Sequence, residues 1–512
     1  MEIGFTIKAL TLLVIAFTLY IYSTFFQRKR KHPNQNPGFS SYPLLGTLPE
    51  FLINRHRFLD WSTEVLLRCP TQTAVFYRHT KIHGVLTANP LNVEYMLKTK
   101  FDNFPKGSRF IAFLQDLLGH GIFNSDGNHW LTQRKTASYE FNTRSLRNFV
   151  METVMGEIRT RLIPLLEEAA EKNRTLDLQN ILERFAFDNI CTVAFNVDPG
   201  CLSGYGTTDN KFMEAFEDAV TLSAGRFFSI TPLFVNIKKV LNIGTERKLK
   251  ESISIVHEFA DKIIKLRIEN LKNEEQEEER HDLLSRFMAI QDSPEYLRDI
   301  IINFILAGRD TTSSALSWFF WLLSSNQTVE NQILNEIKSI RFRFGKTVGE
   351  SFNLDELREM NYIHASISEA MRLYPPVPYD TKSCLKDDVM PDGTFVGKDW
   401  FVTYHTFAMG RMREIWGEDC CDYKPERWID EITGSYKPEN PFKFPVFHAG
   451  PRMCLGREMA YIQMKSIVAM VLERFHVDVL ESTTCPEMLT TMTLRMKNGL
   501  PFKVRVRNHV NE

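Results

Sequence analysis

Long stretches of this chain repeat apolar residues at helical spacing. The amphipathic patterns from Phe149 to Glu171 and from Thr245 to Lys272 each predict helix. A third begins at Ser293-Pro294-Glu295, which supplies an N-cap oxygen, a proline at the first helical position and an acid at the positive end of the helix dipole. Its apolar run, IIINFILAGRDTTSSALSWFFWLLSS, continues to about Ser325, a rod of roughly 45 Å at ~1.5 Å per residue. Arg309-Asp310 interrupts the run. Charge is costly inside a bilayer, so this reads as a buried core helix and not a membrane span. After Gly393 the pattern turns strand- and turn-like, and LTLRMKNGLPFKVRVR alternates around Asn498-Gly499, a hairpin signal. The body is therefore mainly α with a smaller β portion, and no internal repeat interrupts it.

The N-terminus follows a different pattern. Ala9 to Phe26 carries no charge, and Arg28-Lys29-Arg30-Lys31 follows at once. That run is near the lower limit of the roughly 17–25 residues a spanning helix needs. A cleavable signal peptide competes, but the leading residues are weakly charged and no small-x-small cleavage site follows. The basic cluster puts the rest of the chain on the cytoplasmic side. Pro33, Pro37, Gly38, Pro43, Gly46 and Pro49 then punctuate a stretch that reads as a non-helical connector. The expected division is an anchor with stop-transfer over 1–31, a Pro-rich connector over 32–49 and a globular body over 50–512.

Composition narrows the class only slightly. The chain is 43% hydrophobic and 24% charged with a net charge of −1, which gives no sign of nucleic-acid binding. Its 39 phenylalanines suit a large apolar pocket and aromatic core packing equally well. The run Glu274 to Glu279 reads as a solvated helix end or loop. Eight cysteines form no CxxC pair, which argues against structural zinc, and they are too sparse for a disulfide framework.

One cysteine is framed unusually, in FHAGPRMCLG. Gly450 and Gly456 let backbone approach the sulfur of Cys454, a thiolate that binds iron needs such backbone donors, and Phe447 would screen it from water. Taken alone, the stretch also fits a buried cysteine in a turn. It resembles, however, the haem-binding loop of the cytochromes P-450, the haem-thiolate monooxygenases, whose pattern is F-x-x-G-x-R-x-C-x-G. Phe447, Gly450, Arg452, Cys454 and Gly456 occupy all five fixed positions. The resemblance implies haem b (iron protoporphyrin IX), with Cys454 as the axial ligand of its iron and Arg452 facing a propionate. A cysteine thiolate on haem favours cleavage of the O–O bond.

Other segments resemble the same family. Ala307-Gly308-Arg309-Asp310-Thr311-Thr312 is similar to its oxygen-activation segment: Ala307 and Thr311 share a helix face, Gly308 would leave room above the haem, and Thr311 with Asp310 would be catalytic, handling protons. Glu369-Ala370-Met371-Arg372 matches E-x-x-R, and Pro425-Glu426-Arg427-Trp428 resembles the segment of the second arginine, which implies a structural Glu369–Arg372–Arg427 network. Trp130 and Arg134 match W-x-x-x-R, whose members meet a propionate. Lys382 stands where relatives often carry another propionate-binding arginine; lysine keeps the charge and loses the bidentate fork. The resemblance spans nearly the whole chain and implies one catalytic domain over 50–512.

The intact Asp310-Thr311 pair favours oxygen-dependent hydroxylation over peroxide rearrangement. The family implies electrons from NADPH through a membrane-bound NADPH–cytochrome reductase, and a place on the cytosolic face of the endoplasmic reticulum membrane. Basic residues around Arg134-Lys135 and Arg144 to Arg147 suit either a reductase docking face or a solvated surface. GIFNSDGNHWLTQRKTASYEFNTRSLRNFV, FILAGRDTTSSALSWFFWLL and EAMRLYPPVP look like the plant branch that hydroxylates fatty acids at or near the omega carbon. A sister group in that branch oxidises jasmonoyl-isoleucine. Both substrates are apolar and carry a carboxylate far from the carbon attacked. By analogy the walls would come from Phe104 to Phe123, Ser203 to Pro232, the helix around Phe304, Val377 to Tyr379 and Met496 to Leu500, and no residue there separates the two. A haem-binding protein without turnover, and a non-haem protein with an inert cysteine, are the alternatives from other classes.

Overall fold

The computed structural model describes residues 38–42, 45–78, 82–141, 144–205, 211–229, 232–273, 283–480 and 482–507. The expected anchor, its basic cluster and the acidic run at Glu274 lie outside them. Among the described residues no helix is long and apolar enough to cross a membrane. The chain divides into two compact units, one of Met1–Gly107 with Tyr379–Met412, the other of Ser108–Pro378 with Arg413–Glu512.

The first unit is built on a four-stranded sheet in the order Thr73–Arg78, Ile82–Thr87, Phe401–Tyr404, Asp380–Ser383. Its two outer pairings are antiparallel and its central pairing, Gly84 to Thr87 along Phe401 to Tyr404, is parallel. The pattern predicts β structure only after Gly393, whereas three strands of this sheet precede it, Asp380–Ser383 and the first two. The alternation of the first two is short, and half of their partners lie some three hundred residues downstream.

Phe39 is buried and its ring lies 5.5 Å from Phe51, 5.2 Å from Trp61 and 6.3 Å from Phe76. Gly38 adopts φ +60°, and a Cβ there would sit 2.7 Å from Ala74 Cβ. Gly38 and Phe39, within the expected connector, are thus packed into the unit. The connector's expected lack of helix fails at its end, since a helix runs over Leu48–Ile53. Pro49 sits in the first turn, where its missing N–H has no partner to lose.

The second unit is helical, with α1 (Gly127–Phe141), α2 (Leu178–Phe195), α3 (Pro294–Ser324), α4 (Asn361–Leu373) and α5 (Arg457–Arg474) framing the residues of interest. α3 starts where its sequence signals place it, with the Ser293 hydroxyl accepting from the Tyr296 N–H at 3.3 Å. It is buried on nearly all sides because its apolar residues surround the axis, and it shares one core with α2, including Phe187, Phe195, Ile300, Phe304 and Ile305.

The expected hairpin at Asn498-Gly499 does not form. The strand Leu494–Met496 pairs backwards with Met488–Thr490, whereas Pro501–Val506 pairs with Leu176–Asp177 and Phe475–Val479. The groups a hairpin would pair are taken by the start of α2. Gln179 accepts from the Met496 N–H at 2.9 Å and donates to the Met496 carbonyl at 3.1 Å, and Asp177 accepts from the Leu500 N–H at 2.9 Å.

Gly308 marks the closest approach of α3 to α2: a Cβ there would lie 2.5 Å from Ile190 Cγ1 and 2.7 Å from its Cβ. A side chain at Gly308 would thus collide with Ile190, so this glycine serves the packing of α3 on α2. Gly308→Ala gains up to ~1 kcal/mol of helix propensity but overpacks a branched carbon that cannot swing aside, at a cost of about 1–3 kcal/mol. Urea denaturation should therefore show a net loss of stability, and Ile190→Ala in the same chain should be less destabilising than in the parent.

Candidate functional site

Between the short 3-10 turns Pro445–Phe447 and Gly450–Arg452 the chain folds back on itself. The Cys454 N–H donates to the Phe447 carbonyl at 2.8 Å, closing the loop. Gly450 has φ +67° and His448 φ +60° with ψ −177°, a region rarely occupied by residues with a side chain. The loop is thus a strained fold-back, held by the packing around it.

Cys454 sits two residues before Gly456, the N-cap of α5. Its sulfur accepts the Gly456 N–H and lies near the guanidiniums of Arg134 and Arg457, and all three favour the thiolate. Burial opposes them and pushes the thiol above its ordinary pKa. The side chain nonetheless keeps open surface. Deep enclosure and open surface are compatible if the sulfur faces an interior space and not bulk water. A thiol so placed ionises when a metal takes it.

α3 opens in its middle in the same way. From Ile300 to Phe320 only Ala307, Gly308 and Thr311 are not fully buried. Ala307 and Thr311 are one turn apart on one face, and the Thr311 hydroxyl donates back to the Ala307 carbonyl at 2.7 Å. Phe141 links this face to the cysteine loop. Its ring stacks on Phe304 with centroids 6.1 Å apart, and its Cε1 would lie 3.7 Å from a Cβ on Gly456. Asp310 points elsewhere, accepting from Arg309 at 2.6 Å.

Arg452 and Trp130 are brought together, the guanidinium carbon 4.3 Å from the ring centroid. Arg452 also donates to the Ser125 carbonyl at 2.9 Å and to Asp126 at 2.7 Å, just ahead of α1. Arg134 lies one turn beyond Trp130 on α1. It is partly buried, burial holds its pKa below the usual arginine value, and it has no carboxylate partner among the described residues. Lys382 belongs to the other unit, where its ammonium donates to Asp380 at 2.8 Å and Asp380 also accepts from Lys106 at 2.6 Å.

Beside the loop, Glu369 on α4 receives both arginines. Arg372 reaches it through two bonds of 2.7 Å and Arg427 through one of 3.1 Å, and the side chains of Glu369 and Arg372 are fully buried. Arg372 further donates to the carbonyls of Cys420 and Asp422, Arg427 to those of Trp416 and Asp419. Two residues escaped the sequence reading. Trp428 donates its indole N–H to Glu369 at 2.8 Å, and Trp416 lies 5.2 Å from the Arg372 guanidinium. Trp428 directly follows Arg427, so its place was the more legible of the two.

Comparison with known proteins matches nearly the whole chain to one family. The family model described as Cytochrome P450 matches residues 37–505. Cytochrome P450 CYP94D108 of Paris polyphylla is 51% identical over 93% of this chain and 93% of its own length. Cytochrome P450 94A1 of Vicia sativa is 44% identical over 91% and 90%. Cytochrome P450 94B3 of Arabidopsis thaliana is 44% identical over 98% of each.

Replacing Glu369 by Gln keeps the volume and removes the charge that both arginines share. Stranding Arg372 in a buried site costs about 3–5 kcal/mol. Glu369→Gln should therefore unfold at a much lower urea concentration than Glu359→Gln, a change to an exposed acid in the same unit.

Proposed function

The chain belongs to the cytochrome P450 family, a monooxygenase family, and on that premise we propose that it hydroxylates a long-chain fatty acid at or near the omega carbon. A haem, which the family carries, supplies the chemistry that activates oxygen and inserts one of its atoms into a C–H bond. Cys454 would hold its iron through the sulfur. The Gly456 N–H, Arg457 and the N-terminus of α5 would then hold the thiolate's charge. Arg452, Trp130 and Arg134 would hold the propionates, and Arg134 fits an anion best because no carboxylate of the described chain satisfies it. Gly450 and Phe447 would shape the loop behind the sulfur.

On the opposite side Ala307 would wall the reaction space and the Thr311 hydroxyl would hold a proton there, with Asp310 behind it. Gly308 would serve by letting α3 lie close to α2. What carries the choice of an apolar substrate is the direction of charge on α3. Its partly open face carries Ala307 and Thr311, while Arg309 and Asp310 turn into the protein and pair there. An alkyl chain end meets no unpaired charge on that face.

Electrons would come from NADPH through a reductase. Membrane attachment has support besides the sequence of the first 31 residues. The helix Pro232–Leu241 leaves Leu233, Phe234, Val240 and Leu241 exposed, a contiguous apolar patch of the kind that seeks lipid or a partner. We place the protein at the endoplasmic reticulum membrane with its body in the cytosol.

Purified enzyme with reductase and NADPH, offered long-chain fatty acids and jasmonoyl-isoleucine separately, tests the substrate. Hydroxylation of fatty acids within the last few carbons is the expected product. Turnover confined to the jasmonoyl conjugate would replace the fatty acid as substrate, and turnover of neither would overturn the reading.

A further inference from the structure

Arg309 and Asp310 break an otherwise apolar helix, and a chain of buried charge explains how they are tolerated. Asp310 accepts from Arg309 at 2.6 Å, and Arg309 also reaches Glu183 on α2 at 3.3 Å. The other oxygen of Glu183 accepts from Arg495 at 2.6 Å, and Arg495 continues to Glu217 at 2.6 Å. Glu183, Arg309 and Asp310 are all at least 95% buried, whereas the Glu217 side chain is 42% exposed. The chain of ion pairs thus runs from the middle of α3 to solvent. It holds three carboxylates against two guanidiniums, and arginine does not give up its proton. One carboxyl is therefore in excess and available to take a proton. The Nε groups of Arg309 and Arg495 are buried without an acceptor among the described residues, so each guanidinium can redistribute its N–H groups between carboxylates.

We infer that Glu183 is a positioning residue for proton handling at Thr311: its charge decides how tightly Arg309 holds Asp310. When Glu183 is ionised, Arg309 is shared between two carboxylates and Asp310 is free to turn toward Thr311. When Glu183 is protonated it competes weakly, and Arg309 closes on Asp310 alone. The proton comes from hydronium of the solvent: one of its O–H bonds breaks, leaving water, as the O–H on the Glu183 carboxyl forms. The groups facing Glu183 are Arg309, Arg495, Asp310 and Glu217, and burial outweighs the two arginines to push its pKa up to about 6. Glu183 then ionises as pH rises through that value. This inference rests on the monooxygenase reading above.

The test is product formed per NADPH consumed, measured on haem-loaded enzyme from about pH 5 to about pH 8. In the parent this yield should rise several-fold across the range. Glu183→Gln should hold it near the low-pH level throughout, and Glu183→Asp should restore the rise. Glu217→Gln is a surface change that balances the charges, and it should move the rise to lower pH with the same upper plateau. A carboxyl infrared band titrating in the parent and absent from Glu183→Gln gives the same answer without turnover. A Glu183→Gln profile that follows the parent's, or a Glu217→Gln profile with an unmoved midpoint, overturns the inference. If the parent makes no product at all, the monooxygenase reading fails instead, and the infrared band still decides whether Glu183 takes the proton.

Discussion

A thiol enclosed as deeply as that of Cys454 resists ionisation, and everything around it is arranged against that resistance. Burial raises its pKa, while one N–H, two guanidiniums and the start of an 18-residue helix pull the other way. In a structural cysteine such neighbours would be wasted, since a neutral thiol gains little from them. They matter for a sulfur that carries charge. The strained backbone at His448 follows from the same need, because the loop must double back for the sulfur to sit ahead of α5.

That loop stays strained only because its surroundings do not yield. Glu369 gathers two arginines and an indole N–H, and those arginines bind carbonyls at Trp416, Asp419, Cys420 and Asp422. One carboxylate thereby pins α4 to the segment that precedes the loop. Buried ion pairs of this kind add little net stability but penalise any alternative arrangement. α3 packs closely on α2 at Gly308, and its Arg309-Asp310 pair is satisfied from within.

Much of this was legible in the residues. Ser293-Pro294-Glu295 located the start of α3 because capping is a local matter. The frame of Cys454 and the pairing of Glu369 with Arg372 were visible because their spacing is short. Asn498-Gly499 misled for the same reason: a turn signal is local, but its hairpin lost to Gln179 and Asp177, more than three hundred residues away. Glu183 and Arg495 could not be read as partners of Arg309, since nothing near them in sequence marks them. The packing of Gly308 against Ile190 was not legible either, since Ile190 lies on another helix.

The central claim is that the Cys454 sulfur ligates haem iron as a thiolate. The most direct measurement is the absorption spectrum of the reduced, haem-loaded protein under carbon monoxide. The parent should show the strongly red-shifted Soret band of thiolate-ligated haem, and Cys454→Ala should lose it. A parent spectrum with the unshifted band of a neutral ligand, or a red-shifted band that survives in Cys454→Ala, would contradict the claim.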